Sequence, residues 1–331
     1  MSAIAREASS YWDANREKSK DPTYWMAHPL CRQAINRRVS GDPNEWPLDW
    51  FKRVHGAAAF DRGISWGCGL GAFERGAIRI GLVREIDGFD ISPASVQDAT
   101  REALREGING IHYRLGNFDD PRLHRGGRGK YDIVFFHASL HHVSALERLF
   151  RRIALYGLRP RGALYLDEYV GPSRQHWTEG RLLDAQAVLD LAPSSAKIND
   201  NIPPPVELND PSEAIRSDEI PGFFTDFFDI VAWRPCGGQI AGLVFPQLHA
   251  EWVHSQAGQR FVSSLLKMED EQLQRDPSTT HHLVAYGRLK PLSRLLRPLG
   301  WGRLKPLWRP LRPLGWRAAR ALRRRIVVGK H

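Results

Sequence analysis

Three glycines alternate with other residues in FDRGISWGCGLGAFERG, residues 60–76. Gly67, Gly69 and Gly71 follow a short apolar segment and precede one with helical periodicity, which predicts a strand, a tight turn and a helix. A glycine turn permits positive φ angles and the close approach of a ligand to the backbone. Asp90 ends the next predicted strand, where its carboxylate can accept hydrogen bonds from both hydroxyls of a ribose. The pattern therefore predicts a cofactor that contains adenosine.

Strands and helices alternate along the chain around and after this turn. Ser92 and Pro93 mark the start of a helix, and further strands are predicted in GIHYRLGN, KYDIVFFHAS, GALYLDEYV, FFDIVAWRPCGG and STTHHLVAYGRL. A helix is also predicted over residues 249–274. Such alternation is typical of a parallel sheet covered by helices on both faces. The predicted fold class is α/β, with a Rossmann-like, mostly parallel seven-stranded sheet.

Further segments surround the core of this sheet. Aromatic residues set among charges favour a helical cap at the N-terminus, and a proline-rich insertion after the fifth strand favours a lid over a substrate pocket. The predicted segments are a cap (1–60), a cofactor-binding core (61–170), a lid insertion (171–222), the C-terminal part of the sheet with a helical insert (223–288) and a basic tail (289–331).

The net charge of +10 comes from the C-terminal tail. Residues 287–331 hold 14 of the 47 Lys and Arg and no acidic residue, which leaves 33 basic against 37 acidic residues elsewhere. This balance argues against nucleic acid as a partner of the body. In the tail, GRLKPLSRLLRPLGW is followed at once by GRLKPLWRPLRPLGW. Cations interleaved with leucine and tryptophan predict binding to an anionic membrane surface, with a duplicated and solvated appendage as the alternative.

Cysteine usage and hydropathy bear on the compartment. Cys31, Cys68 and Cys236 lie far apart and show neither a disulfide framework nor zinc-type spacing. The N-terminal residues lack the apolar run of a signal peptide, and no later stretch approaches the ~20 apolar residues of a membrane span. We therefore expect a cytoplasmic protein, peripheral at the inner face of the membrane if the tail binds lipid.

The glycine turn alone leaves NAD open, because Gly67, Gly69 and Ala72 also satisfy the dinucleotide pattern G-x-G-x-x-G/A. ISWGCGLG, GFDIS, YDIVFFHASLHHV and LRPRGALYLDEY, in this order, resemble the motifs of class I S-adenosylmethionine-dependent methyltransferases, especially bacterial small-molecule enzymes. The resemblance spans about residues 62–170. It implies S-adenosylmethionine as the cofactor and oxygen on a small-molecule or glycan-linked acceptor as the target. An NAD-dependent oxidoreductase and a non-catalytic, membrane-associated cofactor-binding protein are the alternatives.

The resemblance also implies roles for residues along these motifs. The three glycines would approach the methionine part of the cofactor, Asp90 would hold the ribose and Ile91 would lie beside the adenine. Asn117 and Phe118 after the third strand, and His137 after the fourth, complete the implied cofactor-binding set.

Two positions depart from the family's motifs. Ser65 stands where many members carry an acidic residue, so the contact to the methionine amine has no obvious source. Arg161 replaces the second glycine of the usual Pro-Gly-Gly turn, which we interpret as surface variation.

Candidates for proton transfer follow the fourth and fifth strands, whose carboxyl ends share one edge of the sheet. His141, His142 and Glu168 are predicted as catalytic residues for an oxygen acceptor. No metal is assigned. His137 and His141, four residues apart, would share a face with Asp167 or Glu168 nearby only in a helix, and the resemblance places the start of the helix later.

Overall fold

The computed structural model describes residues 3–15, 24–56, 58–118, 129–203 and 210–291. Its single seven-stranded sheet has the strand order β3-β2-β1-β4-β5-β7-β6. Every pairing is parallel except those of β7, which runs antiparallel to β5 and β6. The strands are β1 (Phe60–Trp66), β2 (Val83–Asp90), β3 (Ile111–Leu115), β4 (Tyr131–His137), β5 (Leu158–Tyr169), β6 (Phe228–Gly237) and β7 (His282–Leu289). The predicted fold class is confirmed.

Helices precede the sheet and connect its strands. The α-helices of the described ranges are α1 (Ala3–Asn15), α2 (Pro29–Ser40), α3 (Pro47–His55), α4 (Ala72–Arg79), α5 (Pro93–Arg105), α6 (Leu146–Arg152), α7 (Glu179–Leu189), α8 (Ile220–Phe227), α9 (Ala241–Val244), α10 (Ala250–His254) and α11 (Gln256–Arg275). Short 3-10 turns include Leu140–His142 after β4 and Ser173–Gln175 after β5. None of the helices in the described ranges is long and apolar enough to cross a bilayer.

Each face of the sheet carries its own apolar core. Successive strand residues point to opposite faces, so Phe135 of β4 belongs to one buried cluster and Phe136 to the other. The first cluster includes Phe51 of α3, and the second includes Phe150 of α6. The sheet therefore lies between two layers of helices, as the alternating pattern predicts.

The N-terminal helices are fastened to the far end of the chain. Arg38 of α2 is buried, and its guanidinium donates to Asp270 Oδ1 at 2.7 Å and to Glu269 Oε2 at 3.1 Å, both on α11. The same guanidinium donates to the carbonyl of Cys236 at the end of β6 at 2.8 Å. Removing one partner of such a buried ion pair leaves an uncompensated charge, so this contact fixes α2 on the body.

Two segments differ from the sequence prediction. The helix expected over 249–274 is broken at Ser255, whose Oγ accepts from Gly258 N at 3.1 Å and begins α11 as a separate helix. The insertion predicted as a lid packs into the body, because Leu189 of α7 lies in the same buried cluster as Val244 of α9. The tail repeats lie outside the described residues.

Candidate active site

The turn between β1 and α4 has the left-handed backbone that its glycines predict. The φ angles are 70° at Gly67, 50° at Gly69 and 73° at Gly71. A side chain other than hydrogen costs free energy in this region because Cβ crowds the following carbonyl. The turn lies at the carboxyl edge of β1, where Gly67, Gly69 and Leu70 are partly exposed and Cys68 and Gly71 are buried.

The three glycines meet different surroundings. A Cβ added to Gly67 would lie 2.5 Å from Ser139 Cβ, and one added to Gly71 would lie 2.6 Å from Tyr113 Cζ. A Cβ on Gly69 would meet nothing within 4 Å. Gly67 and Gly71 are therefore required by packing within the protein, and the face of Gly69 is the open one that a bound group can approach.

Asp90 ends β2 beside this turn and is 8 % exposed. Its Oδ2 accepts from Gly69 N at 2.8 Å, and its Oδ1 accepts from Ser92 N at 2.9 Å. Burial raises the pKa of the Asp90 carboxyl, and the two amide donors offset part of that effect. Each oxygen keeps a further lone pair, so the carboxylate can still accept bonds from a diol such as a ribose.

The other predicted cofactor residues border the same edge. Ile91 follows Asp90 directly and is partly buried, and Phe118 packs against Trp66 with ring centroids 5.9 Å apart. Asn117 lies between β3 and Phe118, and its side chain is partly exposed. The structure thus places these residues around the ends of β1, β2 and β3, as the motifs imply.

His137 ends β4 on the other side of the glycine turn. Its ring stacks on Phe73 of α4 at 5.0 Å, and its Nε2 lies 3.7 Å from Asp167 Oδ2 at the end of β5. The side chain is 49 % exposed. His137 therefore forms part of the open wall beside the turn.

His141 and Glu168, both predicted as catalytic residues, form a buried pair. His141 Nδ1 lies 2.8 Å from Glu168 Oε2. Glu168 Oε1 accepts from the amides of Ser139 and Leu140, each at 2.7 Å. Glu168 thus holds the imidazole at one nitrogen and the backbone before it at two points, and Nε2 is the nitrogen left for another partner.

The two members of this pair shift each other's pKa. Burial would lower the pKa of His141, but the hydrogen bond and the charge of Glu168 outweigh it and the pKa is raised. Burial would raise the pKa of Glu168, but His141 and the two backbone amides bring it below its usual value. The pair therefore favours an imidazolium next to a carboxylate.

His142 faces a different set of partners. Its Nδ1 lies 3.1 Å from Ser212 Oγ and 3.4 Å from Asp210 Oδ2. Its ring packs edge-on against Trp12 of α1, with centroids 5.4 Å apart. Burial and the neighbouring His141 lower the pKa of His142 to about 4, so this imidazole is neutral at neutral pH.

A cation site is possible beside these histidines on distance alone. Donor atoms of His141, His142 and Glu213 all lie within 4.8 Å of one another, and His141 Nε2 is 3.9 Å from Glu213 Oε1. The pair that the sequence raised as an alternative, His137 with His141, lies in a strand and a 3-10 turn and shares no helix face. That reason for a metal is therefore removed.

Strained backbone gathers around this cluster. Ala138, Arg174, Gln175 and Ala214 all have φ between 47° and 54°, a region that costs free energy for residues with a side chain. Arg174 N donates to Ala214 O at 2.6 Å, and Ile215 N donates to His141 O at 3.0 Å. Backbone bonds thus tie the segment after β5 and the segment that carries Glu213 to the histidine turn.

Helix α1 contacts both the segment after β2 and the histidine turn after β4. Ser9 Oγ donates to Ile91 O at 2.9 Å, and Asp13 Oδ1 accepts from Ser92 Oγ and from Ala94 N. One turn of the same helix presents Trp12 to the second histidine of the turn. The N-terminal segment therefore contacts the cofactor side and the histidine side at once.

Ser65 has a partner that the sequence reading missed. Its Oγ donates to Oε1 of Glu74, a residue of α4 that is 1 % exposed. Asp210, Ser212 and Glu213 were missed as well, since they lie in an insertion whose fold has no local signal. For Glu74 a signal existed, because a serine at an expected acidic position suggests that the acid is supplied from elsewhere.

Comparison with known proteins identifies the domain. Residues 62–211 match a family model described as a methyltransferase domain. A stretch of 53 residues is 40% identical to proteins named as RNA methyltransferases of Listeria innocua and Listeria monocytogenes. That stretch is 16% of this chain and 11% of theirs, so the chain spans about a tenth of the length of the curated relatives it matches.

Solved structures of similar topology share little sequence with this chain. The YcgJ protein of Bacillus subtilis is 16% identical with a TM-score of 0.42, and the alignment covers 73% of this chain and 97% of that one. Phosphoethanolamine N-methyltransferase 2 of Haemonchus contortus, bound to phosphomonomethylethanolamine and S-adenosylhomocysteine, is 15% identical with a TM-score of 0.47 and coverages of 86% and 60%.

The family match covers the glycine turn, the acidic residue that ends β2 and the histidine turn after β4. The same region forms the parallel half of a seven-stranded sheet with an antiparallel β7. Methyltransferase domains of this fold use S-adenosylmethionine, so the match favours this cofactor over a dinucleotide. Residues 62–211, a little under half of this chain, are therefore similar to a methyltransferase domain.

Proposed function

We propose that the protein transfers a methyl group to a hydroxyl oxygen of a small-molecule or glycan-linked acceptor, with His141 as the base and Glu168 as its positioning residue. The observation that carries this proposal is the buried His141–Glu168 pair at the carboxyl edge of the sheet, 2.8 Å apart. A sulfonium is an excellent leaving group, so the enzyme has to align the acceptor and help it lose its proton.

The geometry supports this division of roles. Glu168 occupies Nδ1 of His141, so Nε2 is the nitrogen that can take a proton from an acceptor. His142 was predicted alongside it, but its low pKa makes it a poor base. We assign His142 to the wall of the acceptor pocket, where it orients the acceptor together with Ser212.

The charges around the histidines favour an uncharged acceptor. Glu168, Asp210 and Glu213 all lie within 4 Å of an imidazole nitrogen. Three carboxylates here disfavour phosphate groups through like-charge repulsion. RNA is the second candidate because of the 53-residue similarity to RNA methyltransferases, and the charge of the pocket argues against it.

For the cofactor we propose the roles that the motifs imply. Asp90 accepts bonds from the ribose hydroxyls and Ile91 packs beside the adenine. Asn117 accepts from the adenine amino group, with Phe118 as an apolar neighbour. His137 lines the wall next to the methyl group, and the open face of Gly69 approaches the methionine part.

The test uses S-adenosylmethionine with an isotopically labelled methyl group. The full chain is incubated with extracts of small metabolites, glycans and RNA, and mass spectrometry identifies what gains the label. We expect an O-methyl product, a loss of turnover of about 10²-fold or more in His141→Gln, and unchanged affinity for S-adenosylhomocysteine. His112→Gln, on the exposed face of β3, is the matched control.

Two results would contradict the proposal. Label found mainly in RNA, or on nitrogen or carbon, would replace the acceptor class. Activity abolished by a chelator and restored by one divalent cation would assign His141, His142 and Glu213 to a metal and remove His141 as the base.

We also propose that the enzyme works in the cytoplasm and that its basic tail holds it at the anionic inner face of the membrane. The support is the sequence of residues 289–331, in which cations alternate with leucine and tryptophan and no acidic residue offsets them. The free state of Cys31, Cys68 and Cys236, all buried, is consistent with a reducing compartment.

A further inference from the structure

Glu74 is a buried glutamate whose two carboxylate oxygens differ in their hydrogen bonding. It lies in the first turn of α4, is 1 % exposed, and accepts from Ser65 Oγ through Oε1. Its Oε2 has no hydrogen-bond partner within the described part of the chain. A polar atom in this state costs free energy, so its retention calls for an explanation.

Two other buried glutamates show what a satisfied carboxylate looks like in this protein. Glu168 is held by His141 and by two backbone amides. Glu269 is held by Arg38 and by the amides of Ile240 and Ala241. Each has a basic side chain and at least two backbone donors, whereas a serine hydroxyl is the one side-chain donor that the described residues give to Glu74.

The pKa of Glu74 is governed by burial more than by any neighbouring charge. Burial raises the pKa of the Glu74 carboxyl, and the negative charge of Asp90 adds a smaller increase. The hydrogen bonds from Ser65 and a backbone amide, together with the charge of His137, oppose this increase. The negative charge of Glu74 also raises the pKa of Cys68 and of Tyr113, after the larger effect of burial on each. The ionised carboxylate would therefore gain a large stabilisation from a cation placed beside Oε2.

The carboxylate lies beside the glycine turn. Its partner Ser65 is two residues before Gly67 on β1, and Glu74 itself is three residues after Gly71 on α4. Gly69 N donates to Asp90 Oδ2, and Phe73, the residue before Glu74, stacks on His137. The methionine end of S-adenosylmethionine carries an ammonium group, which can donate three hydrogen bonds. A charge-assisted bond to a carboxylate is about twice as strong as a neutral one.

We propose that Glu74 recognises the ammonium group of the cofactor's methionine end and that Ser65 positions its carboxylate. In this chain the strand would supply the hydroxyl and the helix would supply the acid, which accounts for a serine at the end of β1. The inference concerns cofactor recognition and is independent of the proposed acceptor.

The test compares two ligands that share adenosine and sulfur. S-Adenosylhomocysteine carries the ammonium group, whereas 5′-methylthioadenosine lacks the amino-acid end. Calorimetric titration of full-length Glu74→Gln should show S-adenosylhomocysteine bound at least about tenfold more weakly and 5′-methylthioadenosine bound as in the parent protein. The control is Glu106→Gln, which removes the acidic partner of Arg75, the residue next to Glu74 on α4. This change should alter neither affinity.

A charge exchange provides the second arm. The double variant Ser65→Asp with Glu74→Ser places the carboxylate on β1 and the hydroxyl on α4, the reverse of the natural arrangement. It should restore the preference for S-adenosylhomocysteine over 5′-methylthioadenosine that Glu74→Gln loses.

Two outcomes overturn the proposal. One is a folded Glu74→Gln protein with unchanged affinity for S-adenosylhomocysteine, since glutamine mimics a protonated, purely structural glutamate. The other is an equal loss for both ligands. If Glu74→Gln does not fold, the double variant Ser65→Asp with Glu74→Ser is the remaining test. If this variant folds but shows no preference for S-adenosylhomocysteine over 5′-methylthioadenosine, the proposal is overturned. None of these measurements involves an acceptor, so they stand or fall separately from O-methylation.

Discussion

The pKa of His141 results from two opposing effects, and this balance decides at which pH the residue can act as a base. Burial favours the neutral imidazole, whereas Glu168 favours the imidazolium and prevails. A base must be neutral before it can accept a proton. As the proposed base, His141 would be protonated and inactive at low pH, and its neutral form would bind the acceptor proton more strongly.

The expected consequence is an acid limb in the pH profile. Activity should rise with pH through the raised pKa of His141, which lies above the ordinary 6.5. Glu168→Gln removes the charge that raises this pKa and leaves burial, so the limb should move to lower pH while the plateau falls about tenfold or more. The measurement is kcat/KM against pH for both proteins.

Glu219→Gln serves as the control for that profile. Glu219 is exposed and pairs with Arg216, so its loss should leave the limb in place. If Glu168→Gln also leaves the limb in place, another group titrates and His141 is not the base.

Single residues were predictable from sequence to the extent that their partners lie in the same motifs. His141 follows β4 and Glu168 lies near the end of β5, and parallel strands bring their carboxyl ends together. Asp210 and Glu213 could not be predicted in the same way. They reach the site through an insertion whose position depends on tertiary contacts such as the bond from Ile215 N to His141 O.

At the scale of elements, glycines in the β1–α4 turn meet two different requirements, which are packing within the protein and open space for a ligand. The glycine pattern in the sequence does not show which glycine meets which requirement. Gly71 is confined by Tyr113, whose hydroxyl also donates to Gly71 O at 2.9 Å. Gly69 has open space where its Cβ would be. The sequence predicted the turn correctly, but which glycine serves packing and which faces a ligand depends on neighbours from other strands.

Alanine substitutions should separate these two roles. Gly71→Ala should lower the free energy of unfolding by about 1–3 kcal/mol, because Cβ meets the Tyr113 ring in a left-handed conformation. Gly69→Ala should cost about 1 kcal/mol from backbone strain alone, and should weaken S-adenosylhomocysteine binding. Denaturant unfolding and calorimetric titration measure the two effects. A stability loss in Gly69→Ala equal to that in Gly71→Ala would contradict this separation.

Helix boundaries show where local pattern is insufficient. The apolar spacing of residues 249–274 reads as one helix, yet Ser255 caps the start of α11 and ends α10. A serine can continue a helix or cap one, and tertiary packing decides between them. The existence of the strands was the more predictable part, because turn residues mark the ends of the predicted strands.

At the scale of the whole molecule, the sheet closes before the tail begins. β7 ends at Leu289, and Lys290 N donates to Phe227 O at 3.0 Å, so the body extends slightly beyond the boundary predicted at residue 288. The charge of the protein is therefore divided between a mildly acidic body and a strongly basic tail.

Removal of residues 292–331 should leave the thermal midpoint and the affinity for S-adenosylhomocysteine nearly unchanged. The full chain should co-sediment with vesicles that contain anionic lipid and should be released by salt, because exposed charges are screened over ~10 Å at 0.1 M. Neutral vesicles and the shortened protein should show little binding. Full-length protein that stays in the supernatant with anionic vesicles at low salt would refute the membrane proposal.

The two backbone bonds to Asp90 have an entropic consequence. With one oxygen on Gly69 N and the other on Ser92 N, the carboxylate is already immobile in the folded chain. Immobilising a side chain on binding costs about 0.5–1.5 kcal/mol, and here that loss of freedom occurs during folding. If Asp90 holds the ribose as proposed, the entropy lost at this contact on binding belongs to the cofactor and its water rather than to the protein.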